Sequence, residues 1–286
     1  MSEGSLFDGF TETDIDGIHL RHAGSGPPVL LLHGYPQTHV MWSKVAPGLV
    51  AAGNTVVCPD VRGYGASHKP PAGERYVNYA KRTVAAELVG VMRTLGHDRF
   101  AVVGHDRGGR VAYRMALDHP EVITKLATLD IVPTLEQWES MRGTAVVGGF
   151  HWALLAQPHP FPERLIGADP EYFLRTLCGN WAASALEDNM AHYVAAFTGE
   201  AIRASCDDYR AGGGIDVELD RADRDAGRRI TCPTLVLWGD PKGTRPSLLD
   251  VWRRWADDVT GHAVPCGHFL AEEAPEATLS ALAAFL

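Results

Sequence analysis

The stretch Gly104-His-Asp-Arg-Gly-Gly109 decides how this chain folds. It follows a short apolar run, Phe100–Val103, and precedes a helix-like stretch, Val111–Leu117. A strand, then glycine–X–nucleophile–X–glycine, then a helix is the nucleophile elbow, a sharp turn that lifts one side chain above the edge of a sheet. The flanking glycines allow the turn to tighten and the strand to approach the helix. The residue that this turn raises is Asp106.

A carboxylate at this point performs different chemistry from a serine. Serine attacks a carbonyl group and forms an acyl-enzyme, whereas a carboxylate attacks a saturated carbon and itself becomes an ester. Hydrolysis of that ester regenerates the enzyme. The elbow therefore indicates displacement at carbon, in which either a halide leaves or an epoxide opens.

The composition suits an enzyme of one domain with an insertion. The chain has 286 residues, and 45% of them are hydrophobic, enough for a sizeable core. A net charge of −9 argues against nucleic acid or an anionic membrane as a partner. No apolar run approaches the ~18 residues of a membrane span, and the first residues lack the features of a signal peptide. The five cysteines have no metal-like spacing, which favours buried thiols in a reducing compartment. We therefore expect a cytoplasmic protein.

Short apolar runs predict strands that are buried on both faces of a parallel sheet. An opening hairpin is predicted over Ile15–Leu20, with Asp16-Gly17 at its turn. The apolar runs are Val29–Leu32, Thr55–Cys58, Phe100–Val103, Leu126–Leu129 and Pro233–Trp238, with helices near Val84–Leu95 and from about Ala274. Strands that alternate with helices predict the α/β class, with a mostly parallel sheet flanked by helices.

The character of the sequence changes between residues 131 and 227. Strand-like runs disappear there, and tryptophans and tyrosines occur among helical stretches. We interpret residues 131–227 as a helical cap, inserted into a core formed by residues 1–130 and 228–286. Internal repeats are absent.

Hydrolysis of an aspartyl ester needs a base that activates water. His268 lies in the sequence Cys266-Gly-His-Phe-Leu270, after the last strand-like run and before the final helix. In proteins with this elbow the chain order is nucleophile, acid, histidine, and His268 has the position that this order requires. We therefore predict that His268 is the base.

Two carboxylates are candidates for the acid that orients His268. Asp130 ends the run Leu126–Leu129, directly before the predicted cap, whereas Asp240 lies close to the more usual acid position, after the next core strand. Asp240 precedes Pro241, a pattern typical of a turn. We therefore favour Asp130.

The loop His33-Gly-Tyr-Pro36 follows the first buried strand. Such loops supply one backbone N–H group to the oxyanion hole, and the residue after the nucleophile supplies the other. Tyr35 and Arg107 are therefore the expected donors. They would hold the negative charge that forms on the Asp106 ester when water adds.

Arg107 and Arg110 stand three residues apart at the start of the elbow helix, so both can lie on nearly the same face. Buried guanidinium groups need an anionic partner. The pair therefore predicts a carboxylate on the substrate, gripped by both arginines. Such a grip would hold the reacting carbon over Asp106.

A departing halide needs N–H or O–H donors where its negative charge develops. His151 and Trp152, in the predicted cap, can supply N–H groups, and Tyr209 can supply a hydroxyl. Ordinary packing of the cap is the alternative interpretation of Trp152 and Tyr209.

Taken together, these residues resemble the fluoroacetate (haloacetate) dehalogenases, a family with the α/β-hydrolase fold and a helical cap. The resemblance extends over nearly the whole chain. Its motifs are His33-Gly-Tyr-Pro-Gln-Thr-His39, Gly104-His-Asp-Arg-Gly108, Leu129-Asp-Ile131, His151-Trp152, Asp208-Tyr-Arg-Ala-Gly212 and Gly267-His-Phe-Leu270.

The resemblance implies a role for each of these residues. Asp106 would be the nucleophile, His268 the base and Asp130 its partner. The substrate carboxylate would bind Arg107 and Arg110, the halide would bind His151, Trp152 and Tyr209, and Trp181 corresponds to a further pocket tryptophan. Phe150 stands where relatives have tyrosine. The substrate would be a small 2-haloacid, no metal or organic cofactor is implied, and the family suggests a homodimer.

Other functions stay open on the sequence alone. An epoxide hydrolase uses the same aspartate–histidine pair, but it typically has tryptophan after the nucleophile, where this chain has Arg107. A haloacid dehalogenase could act on chloro and bromo acids and not on fluoroacetate. A scaffold without activity that binds a small acid is a third interpretation, which the intact Asp106, Asp130 and His268 disfavour.

Overall fold

The computed structural model describes residues 6–184 and 186–286. One eight-stranded sheet forms the core of the described chain, with the order β1-β2-β4-β3-β5-β6-β7-β8. Its strands are β1 Thr11–Ile15, β2 Ile18–Ala23, β3 Pro28–Leu32, β4 Thr55–Pro59, β5 Phe100–His105, β6 Ile123–Leu129, β7 Thr234–Gly239 and β8 Val259–Val264. The β1–β2 and β2–β4 pairs are antiparallel, and every other pair is parallel. The predicted class is therefore confirmed.

Helices of the core cover the two faces of the sheet. They are α1 Ala46–Ala51, α2 Lys81–Thr94, α3 Asp106–Asp118, α12 Leu249–Trp252, α13 Leu270–Glu273 and α14 Pro275–Phe285, with short 3₁₀ helices at His39–Trp42 and Glu74–Tyr79. Strands β4, β5 and β7 are buried along their whole length, which agrees with their apolar sequences. No described helix has the length and apolar character needed to cross a membrane.

The segment between β6 and β7 consists of helices joined by loops in its described part, with one isolated β-bridge at Ile230. Its helices are α4 Thr134–Ser140, α5 Ala145–Gly148, α6 Phe150–Leu155, α7 Phe161–Gly167, α8 Pro170–Trp181, α9 Glu187–Ala196, α10 Gly199–Gly212 and α11 Ile215–Asp225. We call residues 131–227 the cap segment. It leaves the sheet at the carboxyl end of β6 and returns to the amino end of β7, which is parallel to β6. Its residues His151, Trp152 and Trp181 lie in one cavity wall with Asp106 and Asp130, at the carboxyl ends of β5 and β6.

The elbow joins β5 to α3 through a strained residue. Asp106 has a φ of +43°, in the left-handed region that residues with a Cβ rarely adopt. Close packing explains the glycines around it: a Cβ on Gly104 would lie 2.5 Å from the Gly108 carbonyl oxygen, and one on Gly108 would lie 2.3 Å from that of His33. The side chain of Asp106 is thereby held at the end of the strand.

Candidate active site

A cavity of about 820 Å³ opens where the carboxyl ends of the parallel strands face the cap segment. The predicted site residues in its wall are Asp106, Arg110, Asp130, His151, Trp152, Trp181 and His268. The remaining predicted residues, Tyr35, Arg107 and Tyr209, are buried directly behind this wall. The structure thus brings together residues that lie up to 233 positions apart, between Tyr35 and His268.

Asp106 is a buried carboxylate that one backbone donor already orients. The Tyr35 N–H group donates to Asp106 Oδ1 at 2.9 Å, as expected of an oxyanion-hole donor. Burial alone would raise the pKa of Asp106, but the positive fields of His268 and Arg110, with smaller ones from His105 and Arg107, hold it well below its usual range. The group is therefore ionised, and an ionised carboxylate is the form that can attack carbon.

His268 and Asp130 form a hydrogen-bonded pair in the cavity wall. The distance from His268 Nδ1 to Asp130 Oδ2 is 2.6 Å, and the Gly239 N–H donates to Asp130 Oδ1 at 3.1 Å. Burial would lower the pKa of His268, but its hydrogen bond with Asp130 and the negative charges of Asp130 and Asp106 raise it above its ordinary value. The backbone N–H group of His268 donates to the Trp181 carbonyl at 3.0 Å.

Asp240, the other candidate acid, organises a turn instead. Its carboxylate accepts hydrogen bonds from the backbone N–H groups of Thr244, at 2.9 Å, and Arg245, at 3.0 Å. This turn brings the Arg245 side chain back to the end of β7. There Arg245 Nη1 forms an ion pair with Asp130 Oδ1 and donates to the Gly239 carbonyl at 3.0 Å. The Asp130 carboxylate therefore lies between a guanidinium group and the His268 ring, an arrangement that the sequence analysis missed.

Arg107 is fixed by a buried acidic residue of the cap segment. Arg107 Nε donates to Asp208 Oδ2 at 2.6 Å, and its Nη2 donates to the Asp208 carbonyl at 2.8 Å. Lys81 forms an ion pair with the same carboxylate, and the Tyr64 hydroxyl donates to it at 2.9 Å. Burial would raise the pKa of Asp208, but Arg107 and Lys81 lower it to about 2. Arg107 Nη1 remains buried without a partner among the described residues.

The two arginines contact one indole ring. The guanidinium carbon of Arg110 lies 4.4 Å from the Trp152 ring centroid, and that of Arg107 lies 5.1 Å from it. Arg110 Nη1 donates to the Val132 carbonyl at 2.8 Å, while its buried Nε has no partner in the described chain. Each guanidinium therefore has one buried N–H donor without a partner among the described residues.

The three predicted halide donors have their rings packed together. The centroid of Tyr209 lies 5.4 Å from that of Trp152 and 5.8 Å from that of His151, and His151 lies 4.6 Å from Trp181. Burial lowers the pKa of His151 to about 3, so the ring is neutral, and its Nδ1 has no described partner. Phe150 contacts His151 edge-on at 6.2 Å but is partly exposed and lies outside the cavity wall.

Some of the missed residues belong to motifs that the sequence analysis singled out. Asp208 is the neighbour of Tyr209, and Gln37, whose Oε1 lies 2.9 Å from His105 Nδ1, belongs to the motif His33–His39. The position of Asp208 at the start of the motif Asp208–Gly212, directly before Tyr209, is the signal that could have identified it. Lys81 and Arg245 carry no such signal, because their partners are distant in sequence.

Comparison with known proteins identifies the class of enzyme. Residues 27–275 match the α/β hydrolase fold family, so the chain belongs to that family, and it is a hydrolase. It is 42% identical to the fluoroacetate dehalogenase of Burkholderia sp., over 98% of this chain and 95% of the relative. The soluble epoxide hydrolase of Corynebacterium sp. (strain C12) is 34% identical, over 91% and 90%. The crystal structure of a putative α/β hydrolase from Nostoc sp. PCC 7120 is 47% identical, covers 96% of each chain and has a TM-score of 0.92. The predicted resemblance is therefore confirmed.

Proposed function

We propose that this hydrolase removes the halide from haloacetates, fluoroacetate among them, and releases glycolate through an ester on Asp106. One observation carries the proposal: an ionised aspartate occupies the elbow, and two guanidinium groups with unpaired N–H donors lie against the ring of Trp152 beside it. The 42% identity to a fluoroacetate dehalogenase supports the choice of substrate.

Binding comes first. The substrate carboxylate would accept hydrogen bonds from the unpaired N–H groups of Arg107 and Arg110. Because Asp208 already holds the other side of Arg107, the guanidinium is oriented before the substrate arrives and little side-chain entropy is lost on binding. The carbon that bears the halogen then lies over Asp106.

Displacement follows. An oxygen of Asp106 forms a bond to the carbon while the carbon–halogen bond breaks, and the halide leaves with the electron pair. Trp152 and His151 would donate N–H groups to the halide, and Tyr209 its hydroxyl. Such preoriented donors in a site that excludes water stabilise the developing charge, typically by about 2.7–4 kcal/mol for one donor.

Hydrolysis completes the cycle. Once Asp106 is esterified, its negative charge no longer raises the pKa of His268, so the imidazole becomes a neutral base at lower pH than in the free enzyme. His268 takes a proton from water, and the hydroxide adds to the carbonyl carbon of the ester. The backbone N–H groups of Tyr35 and Arg107 would hold the oxyanion. The bond between the carbonyl carbon and the glycolate oxygen then breaks, and this oxygen takes the proton from His268 as glycolate leaves. Asp106 keeps the oxygen atom of the water and releases the remaining proton to solvent, which restores the carboxylate.

An epoxide hydrolase is the second candidate, favoured by the 34% identity to a soluble epoxide hydrolase. The same aspartate and histidine would serve both reactions. A neutral epoxide, however, has no anionic group to pair with the guanidinium groups of Arg107 and Arg110. We therefore place the haloacid first.

The first test measures halide release from fluoroacetate and from chloroacetate in parallel, with Asp106→Asn as the control. Fluoride release that the variant lacks would support defluorination by a carboxylate nucleophile. Chloride release alone would keep the mechanism and restrict the enzyme to weaker carbon–halogen bonds. Release of neither halide, together with hydrolysis of a neutral epoxide, would replace the proposal with the second candidate.

We also propose a cytoplasmic homodimer. The five cysteines are free thiols, four of them buried, which suits a reducing compartment. Exposed apolar side chains on the cap segment support self-association: Val147, Phe161, Leu165 and Tyr172 are each more than half exposed.

A further inference from the structure

A buried chain of hydrogen bonds runs from the Glu272 carboxyl group to the backbone of His268. Glu272 Oε2 lies 2.5 Å from Gln37 Nε2, and Gln37 Oε1 lies 2.9 Å from His105 Nδ1. The other ring nitrogen, His105 Nε2, lies 2.8 Å from the His268 carbonyl oxygen. All three side chains are buried. We call Glu272, Gln37 and His105 the Glu272 network.

Donors and acceptors in this network can be counted. The His268 carbonyl only accepts, so His105 Nε2 must carry a hydrogen. The amide of Gln37 presents its NH₂ group to one neighbour and its oxygen to the other. If Glu272 is ionised, the NH₂ group faces it, the oxygen faces His105, and His105 must be doubly protonated.

The opposite arrangement contains the same number of protons. A protonated Glu272 donates to the amide oxygen of a reversed Gln37, whose NH₂ group then donates to a neutral His105. The two orientations of an amide occupy nearly the same volume. Every contact is therefore satisfied as long as Glu272 and His105 share one titratable proton between them.

Burial favours the neutral arrangement. It raises the pKa of Glu272 to about 7, despite hydrogen bonds from Asn189, Tyr193 and Gln37, and it lowers the pKa of His105 to about 4, aided by the charge of His268. The other titratable groups that act on the network are Lys44 and Cys178 around Glu272, and Asp106 and Asp130 around His105. None of these is described in direct hydrogen-bond contact with Glu272.

Loss of the shared proton leaves one contact without a hydrogen. With Glu272 ionised and His105 neutral, the single ring hydrogen of His105 can serve either Gln37 or the His268 carbonyl, and a lone pair faces the other oxygen. The unsatisfied contact would lie inside the protein, where it is costly. It would also lie next to the catalytic site, since the rings of His105 and His268 are 4.5 Å apart.

We propose that Glu272 is a positioning residue whose proton, relayed through Gln37 and His105, fixes the backbone of His268, and that loss of this proton lowers activity at alkaline pH. Glu272 also accepts hydrogen bonds from Asn189, at 2.8 Å, and Tyr193, at 2.9 Å, both on α9. Through these hydrogen bonds, Glu272 connects α9 of the cap segment to the loop that carries His268. This inference rests on the proposed function only in that halide release serves as its readout.

The test compares the wild type with Glu272→Gln. Glutamine can accept from Asn189 and Tyr193 with its oxygen and donate to Gln37 with its NH₂ group, as protonated glutamate does, but it cannot lose a proton. We expect kcat of the wild type for chloroacetate to fall roughly tenfold as the pH rises above the pKa of Glu272, because one buried hydrogen bond is lost. The variant should show no such fall. Glu276→Gln, an exposed neighbour on α14, is the matched control and should keep the wild-type profile.

A melting series separates this inference from the proposed function. Because the pKa of Glu272 is raised in the folded state, its contribution to stability is present at low pH and is lost as pH rises through that pKa. The melting temperature of the wild type should therefore fall over this range relative to that of Glu272→Gln, whether or not any haloacid is turned over. Parallel melting curves, or an alkaline fall in kcat that survives in Glu272→Gln, would overturn the inference. Absence of halide release at every pH would count against the proposed function alone.

Discussion

Replacing Arg245 with glutamine removes a positive charge from the far side of the Asp130 carboxylate. Arg245 contacts one oxygen of this group, and the other oxygen lies 2.6 Å from His268 Nδ1. The positive charge of Arg245 disfavours protonation of His268 and lowers its pKa. Without it the pKa rises, and the neutral base is present only at higher pH. We therefore expect the acid limb of the pH profile, in which kcat rises as His268 loses its proton, to move to higher pH in Arg245→Gln.

The size of the shift follows from the geometry. One carboxylate separates the two positive groups, so they lie on the order of 7 Å apart, where unit charges interact by about 0.6 kcal/mol in water and about 2.4 kcal/mol at an effective dielectric constant of ~20. The Arg245 side chain is 41% exposed, so solvent screening favours the lower part of this range. Since one pKa unit corresponds to about 1.36 kcal/mol, we expect a shift of about 0.5–1 unit.

The assay is the pH dependence of kcat for halide release from chloroacetate, between about pH 5 and 9. Arg245→Lys should restore most of the wild-type profile, because it keeps the charge. Arg253→Gln, which removes a charge from an exposed pair with Asp250, serves as the control and should shift nothing. An acid limb that stays in place or moves to lower pH in Arg245→Gln would refute the electrostatic reasoning.

Three further outcomes are expected. In Asp208→Asn, Arg107 loses its carboxylate partner, so KM for haloacetate should rise at least tenfold, a larger change than the fall in kcat. The free energy of unfolding, measured by denaturant titration, should fall by about 3–5 kcal/mol because a buried cation is left unpaired. An unchanged KM would argue against Arg107 as a substrate ligand. In His268→Gln, displacement should proceed without hydrolysis, so mass spectrometry should find a glycolyl group on the peptide that contains Asp106, and a bare peptide after incubation would contradict this. In Leu165→Glu, an exposed charge on the cap segment should shift a dimer toward monomer in light scattering, whereas an unchanged mass would place the interface elsewhere.

The sequence predicts the core of the fold because its central strands are buried on both faces. The run Val29–Leu32 is wholly apolar, and Thr55–Cys58 is apolar after its first residue; the structure confirms them as parts of β3 and β4. The hairpin turn at Asp16-Gly17 is also confirmed, since both residues have positive φ. The sequence analysis did not predict strand β8. Its sequence, Val-Thr-Gly-His-Ala-Val, has no apolar run, because it lies at the edge of the sheet and is largely exposed.

The site could be predicted only as far as its motifs reach. The elbow motif identifies Asp106 because the strand, the glycines and the helix are contiguous in the chain. Arg245 could not be found in this way, since its partner is set by the turn that Asp240 forms. The contact between Gln37 and Glu272 joins residues 235 positions apart, and no local pattern records such a distance. Pairings that depend on the tertiary fold are therefore the part that sequence reasoning misses.

The division of labour between core and cap segment has an evolutionary consequence. The residues proposed for bond making and water activation, Asp106, Asp130 and His268, all follow core strands, whereas the rings proposed around the leaving group, His151, Trp152, Trp181 and Tyr209, all lie in the cap segment. The rings can therefore change in the course of evolution while the proposed nucleophile, base and acid stay the same. The proposed grip on the substrate carboxylate is shared between the two parts, because Arg107 of α3 is held by Asp208 of the cap segment. Recombination at the two joints would therefore preserve this grip only where Arg107 and Asp208 are inherited together.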